Sequence, residues 1–131
     1  MAAPIISVVG NLTADPELRI GGSGAAWVSF TVANTQWRRN GEQWEEAGTS
    51  FYDVKAFKTL AENISESLSK GDKVIVVGRI VQESWEDKKT GDKRSKFVVT
   101  ADAVGPDLSK SPAEIQRTQR SGGRYDNEEP F

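Results

Sequence analysis

A chain of 131 residues, 37% hydrophobic and 27% charged, has apolar material for one modest core and no room for a second ordinary domain. It contains no cysteine and no histidine, which excludes a disulfide framework, thiol or Ser-His-Asp nucleophiles, and zinc or haem held by the usual ligands. The net charge of −2 argues on average against a polyanionic partner, but the charge is sorted along the chain, with Arg117, Arg120 and Arg124 preceding a tip that holds Asp126, Glu128 and Glu129.

Ile5 to Gly10 is a β-branched run closed by a glycine and predicts a strand. Asn11 to Pro16 is turn chemistry, Glu17 to Ile20 suits a short strand, and Gly21-Gly22-Ser23-Gly24 suits a hairpin loop. From Ala26 the pattern alternates, with Val28, Phe30 and Val32 on one face and Trp27, Ser29, Thr31 and Ala33 on the other. Thr35 to Thr49 is polar and predicts an exposed hairpin carrying Trp37 and Trp44. Phe51 to Phe57 alternates again: Tyr52, Val54 and Ala56 face one way, and Phe51, Asp53, Lys55 and Phe57 the other.

The period then changes. Leu60, Ile64 and Leu68, with Ala61 alongside, form one stripe of a short helix, and Gly71 is placed to take its left-handed cap. Lys73 to Trp85 is a long strand, apolar on both faces at Val74-Ile75-Val76-Val77 and interrupted by Gly78, which predicts a bend or bulge. Thr90-Gly91-Asp92 marks a hairpin tip. Ser95 to Val104 is the last strand, with Phe97, Val99, Ala101 and Ala103 sharing a face.

About five strands with one short helix between strands 3 and 4 give an all-β class, and closure into an OB-fold barrel solves the edge problem of an open sheet. A small α+β sandwich is the alternative. The expected domain is 1–108. Residues 109–131 lack apolar periodicity and predict a disordered tail. No apolar run approaches the ~20 residues of a membrane span. No basic start precedes an apolar stretch at Met1-Ala2-Ala3-Pro4, so a cytoplasmic protein without a membrane partner is expected.

Aromatics interleave with cations on the exposed parities. Phe51, Lys55 and Phe57 line one strand. Trp37 sits beside Arg38 and Arg39. Trp85 leads into Lys88 and Lys89, with Arg94 and Lys96 returning. Bases of a single strand stack on such rings whatever their sequence, while Lys and Arg track the phosphates. Trp37, Phe57 and Trp85 fit that role, though rings of this kind also serve cores and interfaces. Phe51 either stacks or closes the barrel, and Trp44 either stacks or caps its hairpin. Trp27 has no neighbouring cation in sequence, which favours a subunit interface.

The carboxylates lack a partner base or a phosphate-binding loop, so no enzyme activity, cofactor or metal is expected. The terminal acids with Pro130 and Phe131 suit capture by a basic pocket with a hole for the ring, that is, a protein-docking tip. An OB-fold protein-interaction module with incidental nucleic-acid binding is the competing function. Single-stranded RNA is a variant ligand, since nothing here reads a 2′-OH.

Val8-Val9-Gly10-Asn11-Leu12-Thr13-Ala14-Asp15-Pro16-Glu17-Leu18-Arg19 resembles the opening of the bacterial single-stranded DNA-binding protein family, in wording closest to its actinobacterial members. Ser29-Phe30-Thr31-Val32-Ala33, Phe57-Lys58-Thr59-Leu60-Ala61-Glu62, Leu68-Ser69-Lys70-Gly71-Asp72-Lys73-Val74 and Val77-Gly78-Arg79-Ile80 resemble its later segments in order. The resemblance covers roughly residues 4–108. It implies a non-catalytic OB-fold homotetramer, cytoplasmic and nucleoid-associated, that wraps single-stranded DNA during replication, recombination and repair. It puts the stacking rings at Trp37, Phe51, Phe57 and Trp85, with Phe51 where many members have Trp. Lys58 joins the expected DNA-binding set. The resemblance also implies that the tip, Asp126 to Phe131, recruits replication and repair proteins, with Glu129 standing where an apolar residue usually precedes Pro-Phe.

Overall fold

The alternation along Ala26 to Ala33 becomes a barrel wall, with Val28 and Val32 fully buried, Phe30 nearly so, and the residues between them half-buried. A computed structural model describes residues 3–117. It contains β1 (Ile5–Leu12), β2 (Glu17–Ile20), β3 (Ala26–Asn40), β4 (Gln43–Phe57), α1 (Lys58–Ser67), β5 (Lys73–Glu86) and β6 (Lys93–Pro106). The strands form one six-stranded sheet in the order β1-β5-β6-β4-β3-β2. Closure comes from β1, which pairs with β5 over most of its length and then gives its last two residues, Asn11 and Leu12, to β3. The ring is an OB-fold barrel, with β2 laid on β3 outside it.

About five strands are expected and six are present, the short segment Glu17–Ile20 counting as a full strand because it pairs along its whole length with β3. The helix accordingly lies between β4 and β5. Its stripe is as expected: Ala61 and Ile64 are buried, Leu68 is nearly so, and Leu60 packs against the same core as Val8, Leu12, Val54, Val74 and Val76. The cap is not at Gly71. The helix ends at Leu68, whose N–H donates to Ile64 O at 3.0 Å. Gly71, with φ +91, serves the next turn, donating its N–H to Leu12 O at 2.9 Å.

Two glycines permit the closure. A Cβ at Gly10 would collide with the carbonyl of Ala33, where β1 crosses onto β3, and one at Gly78 would collide with the carbonyl of Thr100. The ladder between β5 and β6 shifts register at Val77/Gly78, which is the bulge expected there. The shift turns β6 over: Val99 and Ala101 remain in the core, whereas Ala103 moves outside and Val104 packs inward. Phe97 keeps its parity but is 62% exposed, because β5 and β6 outrun the barrel there. Gly78→Ala is expected to cost about 1–3 kcal/mol of stability, as overpacking does. Thermal unfolding checks this, with a midpoint several degrees below that of the unmodified chain.

At the far end of β6, the Asp107 N–H donates to Lys73 O at 2.8 Å. The Asp107 carboxylate is held below the usual carboxylate range, first by the Ser109 N–H and then by lesser contributions that include Lys73. Residues 109–117 carry no helix or strand. The rest of the expected tail, including the tip, lies outside the described residues. Among the described residues, no helix is long and apolar enough to cross a membrane.

Candidate nucleic-acid interface

Two ribbons project from the barrel. One is the distal part of β3–β4, turning at Gly41 with φ +67; the other is the distal part of β5–β6, turning at Gly91 with φ +77. Residues directly opposite in a ladder share a face, and alternate residues along a strand do too. On this rule the outer face of β3–β4 carries Trp27 opposite Phe57, Ser29 opposite Lys55, Thr31 opposite Asp53, and Ala33 opposite Phe51.

Beyond that point the ladder shifts between Gln36 and Trp37, where Gln36 faces Gly48 but Trp37 faces Glu46. Ala47 is the extra residue. It reverses the parity of β4 without touching that of β3. Trp37 and Arg39 therefore stay on the outer face, and Trp44, opposite Arg39, joins them. The Arg39 guanidinium lies 5.7 Å from the Trp44 ring centroid. Arg38, next to Trp37 in sequence, points to the other side of the ribbon and pairs with Glu45 at 3.1 Å.

On the second ribbon, Trp85 faces Arg94 and Glu83 faces Lys96. That side of the ribbon meets the outer face of β4: Lys55 Nζ lies 3.0 Å from Glu83, and Lys96 Nζ lies 3.2 Å from Asp53. Trp85 is thereby brought onto the same surface as Phe51 and Phe57. All of these rings are open to contact. Trp37, Trp44 and Phe51 are around three-fifths exposed, and Phe57 and Trp85 about half. An open cavity of about 250 Å³ lies on this face, lined among others by Thr31, Asp53, Lys55 and Lys96, and the exposed rings suit stacking.

The cations divide into two groups. Lys55, Lys96, Arg94 and Arg38 each hold a carboxylate, Arg94 reaching Asp87 at 3.4 Å. Among the described residues, Lys58, Lys88, Lys89 and Arg39 make no ion pair. Lys88 and Lys89 sit in the exposed tip of the β5–β6 ribbon, and Lys58 opens α1.

Trp27 corrects an expectation. Its sequence neighbours carry no cation, but Arg19 on β2 and Lys55 on β4 each lie 5.6 Å from its ring centroid. β2 places Arg19 directly opposite Trp27, a pairing invisible without the strand register. The ring lies on the outer face opposite Phe57 and has two cations beside it, so the absence of cations on which the interface expectation rests does not hold. Glu83 is a member of this face that the sequence does not reveal. The parity of Asp53 was legible, but its contact with Lys96 was not.

A closed barrel with one helix, an exposed aromatic outer face and two long ribbons is an OB-fold barrel. A family model described as Single-strand binding protein family matches residues 5–107, and the chain belongs to that family. The chain is 50% identical over 119 residues to a single-stranded DNA-binding protein of Corynebacterium glutamicum, covering 89% of this chain and 52% of that protein. It is 44% identical over 120 residues to the single-stranded DNA-binding protein of Mycobacterium leprae, covering 90% of this chain and 71% of that one. The chain thus spans about half the length of the first relative. Among solved structures, the small single-stranded DNA-binding protein from Streptomyces coelicolor is similar with a TM-score of 0.74 and 32% identity, over 85% of this chain and 100% of that one.

Proposed function

We propose that this chain binds single-stranded DNA without sequence preference and without catalysis, and does so in replication, recombination and repair. Bases stack on Trp37, Phe51, Phe57 and Trp85, with Trp27 and Trp44 extending the track. Lys58, Lys88, Lys89 and Arg39 meet phosphates directly, whereas a phosphate reaching Lys55, Arg94 or Lys96 must displace a carboxylate, and Arg38 contributes only from the other side of its ribbon. The observation that carries this reading is the register of β3 and β4, which sets Trp27, Trp37, Phe51 and Phe57 on one outer face, the shift at Gln36/Trp37 adding Trp44 to it. Family membership supports it independently.

Competition tests it. A labelled oligo-dT bound to the protein should be displaced by unlabelled oligo-dT and poorly by duplex of the same length. Equal displacement by both, or no binding at all, would favour the protein-interaction module instead.

We also propose a homotetramer. Ile5, Val9 and Ile75 are exposed on the outer face of β1 and β5, and β1 offers an open edge before it reaches β3. An apolar β-face of this kind is stabilised by pairing with a second copy.

The tip, Asp126 to Phe131, is proposed as the docking peptide for replication and repair proteins, with the acids as charge and Phe131 as anchor. Removing residues 126–131 should leave oligo-dT affinity equal, or slightly higher at low salt because the acids no longer compete for the cationic face. Pull-down of replication and repair enzymes from a cell extract should be lost. Retention of the same partners by the truncated chain would make the tip a solubility tail.

A further inference from the structure

The lysines between the stacking rings are already occupied. Lys55, two positions from Phe57 on β4, donates to both carboxylate oxygens of Glu83, at 3.2 and 3.0 Å. Lys96 lies 3.2 Å from Asp53, and Asp53 is fixed from the other side by the Thr31 hydroxyl, which donates to it at 3.0 Å. Asp53 itself stands on β4 between Phe51 and Lys55. Two carboxylates thus sit on the aromatic track, within reach of any strand that engages Phe51 and Phe57 together.

We infer that Asp53 and Glu83 are built-in competitors of the phosphates, and that they make this face select stacked bases over bare negative charge. The inference rests on the proposed single-strand binding. A phosphate approaching Lys55 must displace Glu83, and the released carboxylate then stands beside another anion. The exchange yields little, because the lysine trades one anionic partner for another. Base stacking has no such competitor. A duplex, whose bases are not free to stack, offers only phosphates and is held off by the same two acids. The acids are therefore specificity-determining residues of the track, and the unpaired Lys88 and Lys89 on the ribbon tip carry most of its salt dependence.

The isosteric changes Glu83→Gln and Asp53→Asn test this, because each keeps an oxygen for its neighbour while removing the charge. Binding of fluorescein-labelled oligo-dT and of a matched duplex is followed by anisotropy across a series of salt concentrations. The double variant should bind oligo-dT more tightly at low salt. Its log K against log salt should be steeper by about 0.7 for each lysine released to a phosphate on single strands. Duplex binding should rise by a larger factor than oligo-dT binding, so that discrimination falls. Adding Lys55→Gln to Glu83→Gln should return the slope to that of the unmodified protein.

Among the described residues the Glu83 side chain bonds only to Lys55, so Glu83→Gln alone carries the test if the change at Asp53 impairs folding. An unchanged slope overturns the inference. Weaker oligo-dT binding by the variants also overturns it, because the acids would then be holding the lysines in position for DNA. If the unmodified protein fails to bind oligo-dT in the same titration, the proposed function itself falls, and the inference with it.

Discussion

Replacing Phe57 and Trp85 together by alanine should nearly abolish binding to oligo-dT while leaving the barrel folded. Each ring is about half exposed, and neither belongs to the buried cluster around Val28, Val54 and Val76. Their removal therefore opens no cavity. Each alanine should cost about 1–3 kcal/mol of binding, roughly 5- to 150-fold in affinity. The two rings lie on different strands, joined across the track by the Lys55–Glu83 contact, so a single strand lying along the track meets both. Equilibrium titration of the double variant checks the loss, and thermal unfolding checks the fold. Unchanged affinity in a folded double variant would remove these rings from the binding face.

A charge placed on the exposed β1–β5 pair should act on assembly instead. Val9 and Ile75 are direct partners in the β1–β5 ladder and are 38% and 39% exposed. Val9→Glu with Ile75→Glu places two like charges side by side on the face proposed to pair with another copy. Burying such a pair without partners is far more costly than leaving it in water. The tetramer is expected to give way to smaller species at micromolar concentration, as measured by light scattering. Each protomer should still unfold cooperatively, because both positions point away from the core. A tetramer that survives the double change would place its contacts elsewhere.

Much of the barrel is legible in the sequence because burial imposes period two on strands and a stripe on the helix. Val28, Phe30 and Val32 declare the inner face of β3, and Leu60, Ile64 and Leu68 declare the helix. Gly78 marks the bulge because only a residue without a side chain lets β5 pass so close to Thr100. What escapes the sequence depends on register between distant segments. Glu17–Ile20 suits a short strand in the sequence, but with no buried residue it gives no sign of its partner, β3, or of its register. That pairing alone brings Arg19 to Trp27. Ala47 gives no local sign that it will turn β4 over, yet this one residue decides whether Trp44 joins the track. The ion pairs of Lys55 and Lys96 connect residues dozens of positions apart, and a cation that appears free along the chain is neutralised in the fold. Phe97 shows the reverse limit: its parity is correct, but alternation does not reveal where a strand leaves its barrel.

Trp27, Trp37, Trp44 and Trp85 are all four tryptophans of the chain, and none belongs to the buried core. The intrinsic fluorescence of the protein therefore reports on the aromatic track and on almost nothing else. Titrating the full chain with oligo-dT while following that emission tests the central claim directly. Stacking of bases on the rings predicts a large, saturable quench that matched duplex does not reproduce. Emission that stays constant through saturating oligo-dT would contradict it.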